Sequence, residues 1–212
     1  MKMIKLAYCN VADLDLKKSY GLLPNDRKNK VDRFRFPKDK KLSCGAYLLL
    51  KKMLSDEDIY DLSFKYGKYE KAYLANHANI YFNISHSGEY VACGISNEEI
   101  GVDVEQIDET IDLNIAKNYF FNEEYKDIIT SKNPHIEFFN YWVLKESYMK
   151  YTGLGFNLNL DEFCILKSDE IKLKNDENNV KFSLFDIENY KLACAGKYKL
   201  KKCEEYFLKD LY

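Results

Sequence analysis

The most constraining stretch of this chain is the hexapeptide Ile100, Gly101, Val102, Asp103, Val104, Glu105, which alternates apolar and non-apolar residues with period two. That is the periodicity of a strand, so Ile100, Val102 and Val104 share one face and Gly101, Asp103 and Glu105 the other. At the rise of a strand the two acidic residues sit roughly 6.6 Å apart along it. Carboxylates that close raise each other's pKa unless a cation neutralises them. A hard divalent ion such as Mg²⁺ uses one or two carboxylates and completes its shell with water and phosphate oxygens. The same pattern also fits a half-exposed strand with a solvated acidic face, and the rest of the chain has to decide between the two.

Bulk properties narrow the field. The 212 residues can bury a sizeable core as one large domain or two small lobes. A net charge of −2 argues against indiscriminate nucleic-acid binding, although local basic patches remain open. Thirteen Phe and eighteen Tyr against three Pro suit a packed aromatic core, not a disordered chain. Cys9, Cys44, Cys93, Cys164, Cys194 and Cys203 form no C-x-x-C pair, which speaks against a zinc or dithiol redox site. Lys2 and Lys5 precede no apolar run long enough for a signal peptide, and no run is long enough to span a membrane. The expectation is a reduced, cytoplasmic protein with no membrane and no nucleic-acid partner.

Periodicity predicts a strand over 3–9 and helices over 13–22, 25–35 and 39–54. The last has Leu42, Ala46, Leu49, Leu50 and Met53 at helical spacing. Strands follow at 63–68, 80–85 and 90–96. The second part repeats this order: the Asp103 strand, helices over 112–119, 122–130 and 135–151, and strands over 162–167, 170–174, 180–187 and 190–196. Tyr90-Val91-Ala92-Cys93-Gly94 is echoed by Tyr190 to Gly196, and Phe82 by Phe182. The expectation is an α+β fold of two similar lobes, residues 1–98 and 99–212, with a ligand cleft between them.

Other segments carry chemistry. Ile136, Phe139, Val143, Glu146 and Lys150 run down one face of the long helix, so Glu146 stands where an apolar residue is expected. Either it faces a site or it forms a solvated i,i+4 pair with Lys150. In Asn83-Ile84-Ser85-His86-Ser87-Gly88, a strand running into a turn, hydroxyls, backbone N–H groups and an imidazole can converge on a phosphate. Tyr66-Gly67-Lys68 is a weaker turn signal. The basic run from Arg27 to Lys41 reads as a solvated face or as a contact for a phosphate-rich ligand. It is too short, and too diluted by Asp26, Asp32 and Asp39, for duplex nucleic acid.

Taken in order, Asn83-Ile84-Ser85-His86-Ser87, Gly101-Val102-Asp103-Val104-Glu105 and Trp142-Val143-Leu144-Lys145-Glu146-Ser147-Tyr148-Met149-Lys150 resemble the 4′-phosphopantetheinyl transferases of the surfactin-synthetase-activating type. Phe34-Arg35-Phe36-Pro37-Lys38-Asp39, Tyr66-Gly67-Lys68 and Gly153-Leu154-Gly155-Phe156 extend the resemblance over nearly the whole chain. It implies two lobes related by a pseudo-twofold axis with coenzyme A in the cleft. The implied reaction moves the phosphopantetheine arm to a serine of an apo acyl or peptidyl carrier protein. By position, Asp103, Glu105 and Glu146 would ligate Mg²⁺. His86 would hold phosphate, Ser85 would help orient the nucleotide end, and Lys150 would meet the pyrophosphate. Lys30 and Ser43 would approach the 3′-phosphate, and the backbone around Lys68 would line the adenine. For the general base the resemblance offers Glu146 first and Glu124 second. Residues 112–130, with Phe120, Phe121 and Tyr125 as anchors, are the implied carrier-docking region, and the enzyme is expected to be a monomer. Two departures stand out: Tyr69 replaces the usual proline, and Leu42 replaces a basic residue before Ser43. The rival readings are a Mg²⁺-dependent phosphodiesterase on the same carboxylates and a coenzyme A-binding module without chemistry.

Overall fold

Two long helices, each opened by a proline and each 19 residues long, organise the chain: α3 (Pro37–Ser55) and α6 (Pro134–Thr152). Proline suits the first helical turn because its missing N–H is unpaired there anyway. Gly153, at φ 72°, closes α6 in the left-handed region that a side chain disfavours. The computed structural model describes residues 3–69, 71–176 and 178–212, so Lys2 and the Phe156 side chain lie outside the described residues.

Around α3 lie β1 (Ile4–Asn10), α1 (Leu16–Gly21), α2 (Asn25–Asp32), the small hairpin β2 (Phe64–Tyr66) and β3 (Ala72–Leu74), and the hairpin β4 (Tyr81–Ser87) and β5 (Tyr90–Ser96). Around α6 lie β6 (Ile100–Gln106), α4 (Asn114–Tyr119), α5 (Asn122–Thr130), the small hairpin β7 (Ile165–Lys167) and β8 (Ile171–Leu173), and the hairpin β9 (Lys181–Ile187) and β10 (Tyr190–Gly196). The pairings repeat as well. β1 runs antiparallel to β5 from Ile4 opposite Ser96 to Asn10 opposite Tyr90. β6 runs antiparallel to β10 from Ile100 opposite Gly196 to Gln106 opposite Tyr190. The architecture is α+β.

Two features depart from the sequence reading. Strand β4 extends through Ser87, so His86 lies within the strand and the turn begins only at Gly88. A short strand, β11 (Glu204–Glu205), leaves the second half and pairs in parallel with β1, giving a sheet ordered β11-β1-β5-β4. Residues 204–212 therefore pack on the first half, and Tyr206 Oη donates to Asp56 at 2.9 Å. Two-residue pairing of polar Glu204 and Glu205 carries no hydrophobic period, which is why the sequence did not announce it.

Between the two sheets lies a core of its own, built from Leu6, Tyr90, Ala92, Ile100, Val102, Val104, Leu192 and Cys194. Burying each large apolar side chain here contributes about 1.5–3 kcal/mol. The apolar row of β6 thus faces the other sheet, and its Gly101, Asp103 and Glu105 row is turned toward α6 and β4. Among the described residues no helix is long and apolar enough to cross a membrane.

Candidate active site

The site forms where β4 and β6 lie side by side without a backbone ladder. Alternate residues of β4 supply the missing bonds from their side chains. Asn83 Oδ1 accepts from the Val102 N–H at 2.9 Å. Ser85 Oγ donates to Asp103 Oδ1 at 2.8 Å, and Ser87 Oγ donates to Glu105 Oε2 at 2.6 Å. Period two thus sends Asn83, Ser85 and Ser87 to the β6 side and Phe82, Ile84 and His86 to the other.

Helix α6 comes down directly on Gly101. A Cβ there would collide with the backbone of Ser147 and Tyr151, so only glycine lets the helix approach. That approach delivers Lys150 Nζ to Asp103 Oδ1 at 2.6 Å and to Ser85 Oγ at 3.0 Å. Glu146, one turn earlier, is half-buried and makes no hydrogen bond or ion pair among the described residues.

The electrostatics follow from burial. Asp103 is 2% exposed, and its carboxyl is pushed upward by burial even though Lys150 and Ser85 pull it down. Glu105 is raised to about 7, first by burial and then by the charge of Asp103. Glu146 is raised by burial and by Asp103. Three acids thus feel one another's charge beside one compensating lysine, and Asp103 Oδ2 is buried with no hydrogen-bond partner. Among the described residues no three acidic, His or Cys side chains are gathered into a ready-made metal cluster. The donor chemistry nevertheless fits Mg²⁺: an orphaned buried carboxylate oxygen beside two further hard oxygen donors. Mg²⁺ binds through one or two carboxylates plus substrate phosphates and does not need a complete protein cage.

On the other face of β4 opens a cleft of about 300 Å³. Its floor is Phe82, Ile84 and Tyr47, and its polar groups are Arg27, Lys30, Ser43, Asn83 and His86. Arg27 Nε and Ser43 Oγ are buried there without partners, an arrangement that an oxygen-rich anion would complete. Burial and the neighbouring Arg27 lower the pKa of Lys30. Desolvation, Lys150 and Lys30 likewise lower that of His86.

The structure sorts the expected residues. Lys30, Ser43 and His86 line the cleft; Asp103, Glu105, Glu146 and Lys150 form the neighbouring cluster. Ser85 bonds to Asp103 and Lys150 within the cluster and does not line the cleft. Lys68 is exposed with its ammonium 5.0 Å from the Tyr69 ring centre, and Tyr66 lines the cleft in its place. Glu124 stands elsewhere, in a fully buried pair with Lys145 at 2.9 Å. Its oxygens also accept from the N–H groups of Phe121 at 2.9 Å and Ile165 at 2.7 Å. That carboxylate is a buried structural hub, held by three donors and closed off from solvent. Phe120 is 6% exposed and stacked on Phe138, so it belongs to the core and is no docking anchor. Phe121 and Tyr125 are half-buried.

Sequence reasoning did not single out Tyr47 or Lys71, and it named Arg27 and Asn83 only as members of longer runs. Arg27 precedes Lys30 by three residues on α2, a spacing that could have placed both on one face. It also supplies a cation that Leu42 cannot. Lys71 was invisible, since it ties the halves together by donating to Glu99 Oε2 at 2.6 Å and to the Tyr151 carbonyl at 2.9 Å.

Comparison with known proteins agrees with this geometry. Residues 99–195 match the model of the 4′-phosphopantetheinyl transferase superfamily, and residues 12–98 match that of the 4′-phosphopantetheinyl transferase N-terminal region. The 4′-phosphopantetheinyl transferase Sfp of Bacillus subtilis is 30% identical over 182 residues, covering 81% of both chains. A 4′-phosphopantetheinyl transferase of Bacillus subtilis is 36% identical over 145 residues, 64% of this chain and 63% of that one. The transferase gsp of Aneurinibacillus migulanus is 32% identical over 161 residues, 73% of this chain and 65% of that one. With a carboxylate cluster, a cation-lined cleft and a relative matched across four-fifths of its length, the chain belongs to the 4′-phosphopantetheinyl transferase family.

Proposed function

We propose that this chain transfers the 4′-phosphopantetheine arm of coenzyme A to a serine hydroxyl of an apo carrier protein, releasing adenosine 3′,5′-bisphosphate. The observation that carries the reading is the orphaned Asp103 Oδ2, set among Lys150, Glu105 and Glu146 and one strand's thickness from a cation-lined cleft. The cleft would take the nucleotide end, with Arg27, Lys30, Ser43 and His86 toward its phosphates. The carboxylate side would receive the pyrophosphate.

Asp103, Glu105 and Glu146 would hold Mg²⁺, which when bound supplies neutralisation of the pyrophosphate charge. The residues themselves do the rest. Lys150 gives its ammonium to the phosphate oxygens as charge gathers on the leaving bisphosphate. The serine oxygen forms its bond to the phosphorus bearing the pantetheine arm as the bridging P–O bond to the nucleotide breaks. The serine proton passes to the unpartnered Glu146 carboxylate, whose raised pKa suits it to the role. Positioning contributes most of the rest in such transfers.

One chain supplies both walls of the cleft, which supports a monomer. The repeated order of elements supports two lobes meeting near residue 98, with residues 204–212 returning to the first. Six free cysteines support a reducing compartment, the cytoplasm. The test is incubation with coenzyme A, Mg²⁺ and an apo carrier protein. A carrier mass gain of about 340 Da, the mass of the arm, is the expected result. Cleavage of nucleic acid without any carrier modification would replace this reading with the phosphodiesterase one.

A further inference from the structure

Beyond the cleft, the amino-terminal corner of α3 holds a concentration of positive charge, diluted by Asp26, Asp32 and Asp39 but not ion-paired among the described residues. Eight basic residues fall between positions 27 and 41. None of them takes part in an ion pair among the described residues, although lysines elsewhere do so readily. Arg27 and Lys30 turn into the cleft; Arg33, Arg35 and Lys38 are exposed. Lys38 lies in the first turn of α3, whose partial positive charge favours anions and not cations. Amid them Phe36 is 59% exposed, an apolar ring on a charged rim. Next to it a second groove of about 280 Å³ runs between Pro37, Lys38, Leu42 and the Gly88–Glu89 turn. That turn directly follows Ser87, which bonds Glu105, so the groove lies immediately beyond the reacting cluster.

We infer that this corner, centred on Phe36 with Arg33, Arg35 and Lys38 around it, is where the apo carrier protein docks, through an acidic face with an apolar side chain for the groove. The inference rests on the transferase reading and names the surface serving that site. Charge complementarity argues for an acidic occupant, and adjacency to the cluster argues for the partner that must deliver a serine there. A cation such as Lys38 at the positive end of a helix is unfavourable in the free protein, and an acidic partner lowers that cost.

The test is steady-state transfer with the full chain, coenzyme A and an acidic apo carrier protein that the wild type loads. Replacing Arg33→Gln, Arg35→Gln and Lys38→Gln together is expected to raise the KM for the carrier by about tenfold and flatten its dependence on salt. The KM for coenzyme A stays unchanged, and the melting temperature stays level or rises. Phe36→Ser alone is expected to raise the carrier KM without altering the salt dependence. A triple variant with an unchanged carrier KM, or one that raises the KM for coenzyme A instead, overturns the assignment. In the second case the patch merely steers the nucleotide. Wild-type protein that loads no carrier at all fails the transferase reading itself, a separate result.

Discussion

The two halves of this protein use the same frame for opposite purposes. On α3, the eleventh, twelfth and sixteenth residues after the opening proline are Leu48, Leu49 and Met53, all buried among apolar neighbours. The same places on α6 hold Lys145, Glu146 and Lys150. Strand β1 carries Ala7 and Cys9 at the positions that Asp103 and Glu105 take on β6. The first half thus keeps its helix–strand seam dry and opens a cation-lined cleft beside it. The second half places carboxylates along that seam and fills its interior with Phe138, Tyr141, Phe163 and Phe182. Burying ionisable groups is tolerable only with partners. Lys145 meets that requirement four times, with Glu124 and with the carbonyls of Leu160 and Phe163 at 2.8 Å, above the Phe163 ring. Glu146 does not meet it at all among the described residues, and that difference separates a paired structural acid from an unpaired one facing the cluster.

The comparison can be broken most directly at the carboxylates. Asp103→Asn and Glu146→Gln are each expected to lower transfer by on the order of 10³-fold or more while the far-ultraviolet circular dichroism stays native. Mass gain on the carrier reads the outcome. Next comes the structural acid. Glu124→Gln leaves Lys145 in the core without its counter-charge and should cost about 3 kcal/mol in urea unfolding, while folded enzyme keeps its turnover. A loss of turnover without a loss of stability would return Glu124 to the reaction.

A smaller effect tests the anion side. Ser43→Ala is expected to raise the KM for coenzyme A severalfold with little change in kcat. Asn140→Ala, six residues after the opening proline of α6 as Ser43 is of α3, should leave that KM alone. The smallest effect is on pH dependence. Burial raises the thiols of Cys9 and Cys194 to about 12 and that of Cys44 to about 11, from 9.0 when free. The unfolded chain therefore loses these protons first, so stability is full below pH 9 and falls as pH rises through that window. The denaturation midpoint measured from pH 8 to 11 follows this decline. The same burial keeps these three thiols unreactive toward iodoacetamide in the native protein at pH 7.

Much of the site was legible because its signals are local. Asp103 and Glu105 declared themselves by alternation, and Glu146 and Lys150 by a break in an apolar helical stripe. Ser85 and Glu124 were assigned to the wrong surroundings for different reasons. Ser85 differs from His86 only by strand parity, which a segment read as a turn cannot supply. Glu124 looks like any acid in the first turn of a helix until Lys145, twenty-one residues later, is seen to close on it.

The sequence alone determined the order of elements, the apolar faces and the identity of the charged side chains, because these depend on neighbours a few residues apart. Only the tertiary structure decided which charges are neutralised. Arg27 left with a free Nε, Asp103 with an orphaned Oδ2, and Lys71 spent on holding the halves together are outcomes of packing between segments far apart in the chain. The physical reason is that the cost of a charge depends on the water and counter-charge around it, and both are set by distant residues that folding brings near.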